Sequence, residues 1–286
     1  MTELSAQTQL PAPAAKHIVD ELIEDRGPRL LHTPLWPAVK AVGYPMLGYN
    51  RALAMADAIA DLSGEECMAW ISDYLSLSSG VTGLEHVPAE GPCVIVANHP
   101  GGIADGVALW DALVKRRPDM VFYANRDALK VCPGLESRII PVEWRDQERT
   151  RADSRELLKR TIQTFRDGGC LVIFPSGRMS QWNWAAWRLR EAPWAHTAAS
   201  LGRKFGAPVV PLAVRQRMPL LYYVLAQINE ELKDMTIFHG LMGKKGARYN
   251  LDFLPAMDLS GHTASDAELT ETLRALCEDA AWGKRG

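Results

Sequence analysis

The segment Val94-Ile95-Val96-Ala97-Asn98-His99-Pro100-Gly101-Gly102-Ile103-Ala104-Asp105 sets an imidazole at the end of an apolar run, with a carboxylate following it across a glycine-rich turn. An imidazole at a strand end is sterically open. A carboxylate a few residues on, across a turn made compliant by Gly101 and Gly102, can fold back onto one ring nitrogen and leave the other free as a base. That is the base-and-orienter half of a catalytic triad without a nucleophile of its own, so the nucleophile would be a substrate hydroxyl. The competing reading makes Asp105 an N-cap for a helix over Gly106 to Arg117, and His99 a satisfied turn residue.

A second apolar run, Leu171-Val172-Ile173-Phe174, ends in Pro175-Ser176-Gly177-Arg178. Backbone N–H groups at such a turn, with Ser176, Gly177 and Arg178 beside them, can hold a phosphate. A third run, Ala207-Pro208-Val209-Val210-Pro211-Leu212-Ala213-Val214-Arg215, reads on its own only as a buried strand.

Together, in this order and at these intervals, the three runs resemble the lysophospholipid acyltransferase superfamily, which includes the 1-acylglycerol-3-phosphate acyltransferases; the likeness covers about Gly80 to Asp258. The resemblance implies that His99 deprotonates an acceptor hydroxyl as it attacks an acyl thioester, with Asp105 as its partner. It implies no cofactor, only acyl-CoA or acyl carrier protein as co-substrate and a lyso-lipid as acceptor. Phe174-Pro175-Ser176-Gly177 matches the family's F-P-E-G block and Val210-Pro211 its V-P block. Arg145, after the run Arg138 to Trp144, matches the phosphate-binding arginine of the second block. The turns at Gly101 and Gly102, or near Gly177, would hold the oxyanion.

Three departures stand out: five residues rather than four separate His99 from Asp105, Ser176 replaces the family's glutamate, and Arg178 follows Gly177 directly. The first is absorbed by the two glycines. The opening block, and the later stretch Pro208 to Tyr223 followed by Gly243-Lys244-Lys245-Gly246, look most like the bacterial branch of ornithine-lipid O-acyltransferases and proteins labelled hemolysins. The reading is therefore an O-acyltransferase of open acceptor. A catalytically silent relative that binds a lipid or a partner is its competitor, which thioester turnover would exclude.

The elements that must position these groups follow from hydrophobic periodicity. Beyond a tail over Met1 to about Ala15, expected to be disordered, helices are expected over Lys16 to Asp25, from Leu35 through Asp61 with a break near Gly43 and Pro45, and over Glu65 to Leu77. This N-terminal helical region, 16–79, whose Leu35 to Leu62 helices could lie on a membrane, precedes an acyltransferase domain over 80–286. There, short β-rich runs (Cys93 to Ala97, Met120 to Ala124, Arg138 to Glu143, Leu171 to Phe174, Val209 to Val214, Tyr249 to Phe253) alternate with helical patterns. The helical patterns cover Gly106 to Arg117, Ser154 to Arg166, Trp194 to Phe205, Pro219 to Leu232 and Asp266 to Ala280. The expected class is α/β: a mixed, largely parallel sheet, apolar on both faces and flanked by helices.

Composition restricts the function. In 286 residues the hydrophobic share is 47%, the charged share 23% and the formal net charge −2, so nothing draws the chain globally to nucleic acid. Five widely spaced cysteines with no C-x-x-C pair read as reduced, buried thiols of a cytoplasmic protein. No signal peptide or spanning helix is expected, since the apolar windows near Leu35 to Leu62 and Met218 to Ile228 are interrupted by charge or too short. Membrane contact would be peripheral, on the inner face of the cytoplasmic membrane.

Trp182, Trp184, Trp187 and Trp194, with Arg188 and Arg190 among them, form either a membrane-facing lip or a packed cluster. The run Leu220 to Leu225 reads first as core and second as the wall of an acyl-chain tunnel. The basic series Arg145, Arg149, Arg151, Arg155, Lys159 and Arg160 is interleaved with acids, so a solvated helix face is the default and only Arg145 carries a functional expectation. The scattered histidines give no metal site, and the absence of G-x-S-x-G argues against a serine hydrolase.

Overall fold

A computed structural model describes residues 16–143 and 150–283. Strand β1 spans Ser78–Thr82, β2 Cys93–Ala97, β3 Val121–Asn125, β4 Ile139–Val142 and β5 Cys170–Ile173. Two short strands follow, β6 over Gln181–Asn183 and β7 over Arg188–Arg190, and then β8 over Val209–Arg215 and β9 over Arg248–Phe253. Counting only helices of nine or more residues among the described residues, α1 is Ile18–Arg26, α2 Tyr49–Ile59, α3 Gly64–Leu75 and α4 Ile103–Leu113. The rest are α5 (Arg151–Arg166), α6 (Thr197–Phe205), α7 (Leu220–Ile228) and α8 (Asp266–Trp282).

Seven strands form one sheet in the order β1-β9-β8-β2-β5-β3-β4. All neighbours run parallel except β8 and β9, so the sheet is mixed and largely parallel, as the sequence predicts. The strand β2 lies between β5 and β8, with Ile95 opposite Val172 on one side and Val210 on the other. Every residue of β2 is buried, which explains its unbroken apolar sequence: both faces of the sheet are covered.

Alternation along the strands divides the interior in two. Cys93, Ile95, Ala97, Val172, Val210, Leu212 and Val214 face a core shared with α1, α2, α3 and α4. Val94, Val96, Leu171, Ile173 and Val209 face a core shared with α5, α6 and α8. The N-terminal helices thus bury their apolar faces in the same core as the sheet. The strand β1 begins inside the segment expected to be wholly helical, because Ser78–Thr82 is a mostly exposed edge strand with no apolar alternation to announce it.

Other boundaries differ locally. The helix expected over Pro219 to Leu232 stops at Ile228, where Asn229 takes an extended conformation and its side chain accepts from the Leu232 N–H to start a new short helix. The α4 helix starts at Ile103 rather than Gly106, because Gly102, at φ 74°, makes the entry turn. The hairpin of β6 and β7 has no counterpart in the sequence expectations.

Candidate active site

The end of the central strand carries the site. The strand β2 stops at Ala97, and the buried Asn98 side chain then takes over the pairing with β8: its Nδ2–H donates to Val214 O at 2.9 Å, and its Oδ1 accepts from Val214 N–H at 2.7 Å. A side-chain amide thereby replaces one backbone rung, holding the next residue at a fixed height above the sheet.

That residue is His99. Its Nδ1 lies 2.9 Å from Asp105 Oδ2, and the same oxygen accepts from Gly101 N–H at 2.8 Å. Asp105 is fully buried in the first turn of α4 and is not the N-cap; Gly102 occupies that position. The cap reading of Asp105 is therefore replaced by one in which its carboxylate reaches back across the turn to the imidazole. With Nδ1 engaged by the carboxylate, Nε2 is left as the basic nitrogen, and the side chain is 20% exposed.

The turn is built for this approach. A Cβ on Gly101 would lie 2.3 Å from Asp105 Oδ1 and 2.5 Å from the Tyr249 hydroxyl, so only glycine fits. Tyr249, on β9, faces that carboxylate from the other side; burial, and then the Asp105 charge, push its hydroxyl far above the usual phenol range. Lys244 is buried nearby, and burial pulls its ammonium down to about 8 while the Asp105 charge opposes the fall.

The end of β5 supplies the second wall. The ring of Phe174 stacks on the His99 imidazole with centroids 4.2 Å apart. After it the chain turns through Ser176, whose Oγ donates to Arg178 O at 2.7 Å, and Gly177, whose N–H donates to Phe174 O at 3.0 Å. Arg178 is exposed, 3.9 Å from Glu230. The N–H groups of Gly101 and Gly177, expected as oxyanion donors, are thus both donating within their own turns. Arg145, with Arg149 of the basic series, lies outside the described residues.

A buried carboxylate that sequence reasoning missed stands behind His99. Glu191, just past β7, accepts from His99 N–H at 3.2 Å, from the Ser180 hydroxyl, and from Trp194 Nε1–H at 3.4 Å. Ser180 N–H in turn donates to His99 O at 2.9 Å. Burial pushes the Glu191 carboxyl up, while the hydrogen bond from Ser180 and the nearby Ser176 and imidazole oppose the shift. No sequence pattern marks Glu191, because a three-residue strand pairing brings it into place.

The tryptophans divide: Trp194 is buried against Glu191, whereas Trp184 and Trp187 are 59% and 70% exposed at the hairpin tip. The run from Leu220 divides as well, with Tyr222 and Tyr223 buried and Leu220, Val224 and Ile228 exposed on the opposite face of α7. Among the described residues no group of His, Cys, Asp and Glu side chains is arranged to hold a metal ion.

Residues 78–215, which contain the His99–Asp105 pair and the ends of β2, β5 and β8, match the family model described as Acyltransferase. This stretch of the chain is thus similar to an acyltransferase domain. Two relatives are named lyso-glycine lipid O-acyltransferase: one from Phocaeicola vulgatus, 30% identical over 168 residues, and one from Bacteroides thetaiotaomicron, 27% identical over 168 residues. Each alignment takes in 59% of this chain but only 56% and 58% of the respective relative, so the chain spans little more than half the length of the curated relatives it matches. A solved structure, the 1-acyl-sn-glycerophosphate acyltransferase PlsC of Thermotoga maritima, aligns over 90% of this chain and 96% of its own at 16% identity and a TM-score of 0.45.

Proposed function

We propose that this acyltransferase moves a fatty acyl group from an acyl thioester, acyl-CoA or acyl carrier protein, to the hydroxyl of a lyso-lipid whose headgroup is an amino acid. The observation that carries this reading is the His99 imidazole with Nδ1 held by a buried carboxylate and Nε2 left to act as base. The names of the two bacterial relatives support an acceptor of the lyso-glycine lipid type over a glycerol phosphate.

In this mechanism Nε2 takes the proton of the acceptor hydroxyl as its oxygen bonds to the thioester carbon. Asp105 fixes the ring tautomer and stabilises the imidazolium that forms. Collapse of the tetrahedral adduct breaks the C–S bond, and the imidazolium returns the proton to the departing thiolate. The acyl group passes directly from sulfur to oxygen, with no acyl-enzyme.

No described helix is long and apolar enough to cross a membrane. The exposed Trp184 and Trp187, beside the exposed stripe Leu220, Val224 and Ile228, suit shallow contact with a lipid interface, from which an amphiphilic acceptor would enter. The proposed location is peripheral, on the cytoplasmic face of the inner membrane.

The test is acyl transfer by the purified chain, read as thiol release and as the mass gain of the lipid, with lyso-glycine lipid, lyso-ornithine lipid and lysophosphatidic acid offered in parallel. His99→Ala should abolish transfer and Asp105→Asn should lower kcat by about 10³-fold or more. Transfer by His99→Ala at the wild-type rate overturns the mechanism, and a preference for lysophosphatidic acid overturns the acceptor class.

A further inference from the structure

Burying a carboxylate is costly unless its oxygens are met by donors, and removing it from water with no cation directly bonded to it demands several hydrogen bonds. Glu191 is such a group. It is buried, and its donors converge from three segments: His99 N–H beyond β2, the Ser180 hydroxyl beyond β5, and Trp194 Nε1–H after the hairpin. Ser180 closes the circuit by donating its own N–H to His99 O, so the backbone of His99 is held at its N–H by Glu191 and at its carbonyl by Ser180.

Position 176 is where the family's third block has glutamate and this chain has serine. The Ser176 side chain acts on the Glu191 carboxyl by opposing the rise that burial causes. The strand-end turn has serine at 176, and the short hairpin β6–β7 brings a carboxylate to the neighbouring Ser180 and His99.

We infer that Glu191 is a positioning residue for His99, holding the peptide of the base through its N–H and supplying from the hairpin the carboxylate that position 176 lacks. It touches no substrate and transfers no proton. Its effect is on the orientation of the imidazole between Asp105 and Phe174. This assignment rests on the acyl-transfer reading only for its kinetic test.

The kinetic test compares wild type, Glu191→Gln, Glu191→Ser and the double variant Glu191→Ser/Ser176→Glu in the full chain. Glu191→Gln should lower kcat about tenfold or more while KM for donor and acceptor stays within about twofold, a split that a general loosening of the fold does not produce. Restoring a carboxylate by Ser176→Glu should raise the kcat of Glu191→Ser at least about fivefold. Should Glu191→Gln not fold, Ser180→Ala removes one donor to the same carboxylate and should lower kcat about threefold with KM unchanged.

A second readout needs no turnover. The rate at which diethyl pyrocarbonate modifies His99, followed by peptide mass, should rise at least about threefold in Glu191→Gln as the loop is released. If wild type acylates none of the lyso-lipids offered, the function proposed above fails and the modification rate still decides the role of Glu191. A kcat within twofold of wild type in Glu191→Gln, no gain from Ser176→Glu, or an unchanged modification rate would each overturn the assignment.

Discussion

The imidazole of His99 and the ring of Phe174 stack with centroids 4.2 Å apart and planes inclined by 27°, joining the end of β2 to the end of β5. The imidazole is therefore fixed at one edge by a carboxylate and across one face by an aromatic ring. A stacked pair contributes roughly 0.5–1.5 kcal/mol beyond simple burial. Phe174→Leu keeps an apolar residue there but loses the flat face. It should reduce kcat about three- to tenfold with little change in thermal midpoint, as steady-state kinetics and calorimetry on one preparation would show.

Gly101→Ala tests the turn. The added methyl would meet Asp105 Oδ1 at 2.3 Å and the Tyr249 hydroxyl at 2.5 Å, and both sit in a packed interior. Relief requires moving the carboxylate away from His99 Nδ1. The variant should lose at least about 10²-fold in kcat and about 1–3 kcal/mol in stability. A denaturant titration with wild-type midpoint and full activity would contradict the tightness of this turn.

Lys244 gives the protein a specific pH signature. Burial lowers its pKa to about 8 from an ordinary 10.5, and its ammonium donates to Arg217 O. Between those two values the unfolded chain binds more protons than the folded one, so stability rises with pH across that window and the cost of the buried ammonium is fully present below about 8. Lys244→Met should raise the thermal midpoint at neutral pH, equivalent to about 1–3 kcal/mol, and the advantage should shrink steadily as pH approaches 10.5. A constant difference across that range would show that the ammonium is not the source.

The exposed rings at the hairpin tip predict a selective loss of lipid contact. Replacing Trp184 and Trp187 with serine should weaken co-sedimentation with vesicles containing anionic lipid by about tenfold. The rate with a soluble short-chain acceptor should stay within about twofold of wild type. Equal vesicle binding by the variant would remove the hairpin from the membrane surface.

How much of this was legible in the sequence depended on how local each contact is. The His99–Asp105 pair spans one turn, and β2, β5 and β8 are buried on both faces, so composition alone marks their strand ends. The edge strand β1 pairs with β9 through Gly80 opposite Asn250 and carries no apolar stripe, so its existence depends on a partner 170 positions away in sequence. Glu191 escaped for a related reason. Its value comes from a hairpin of two three-residue strands inside a tryptophan-rich stretch, where the rings draw attention and the acid beside Arg190 looks like a surface charge. At the turn Ser176-Gly177-Arg178, expected to hold a phosphate, the Ser176 hydroxyl and the Gly177 N–H bond the turn's own backbone while the Arg178 side chain is exposed.

The placement of β2 between β5 and β8 has a consequence for how such a chain can diverge. Three strand ends that meet at one point are separated in sequence by long excursions that leave the sheet and return. Chain can be added to or cut from those excursions without changing the spacing of the strand ends, which the ladders between β2 and its neighbours fix. The residues of the excursions can therefore drift while the His99–Asp105 geometry is kept unchanged. The short hairpin is the exception: it carries both the exposed Trp184 and Trp187 and the approach to Glu191, so altering its length would disturb surface and base together.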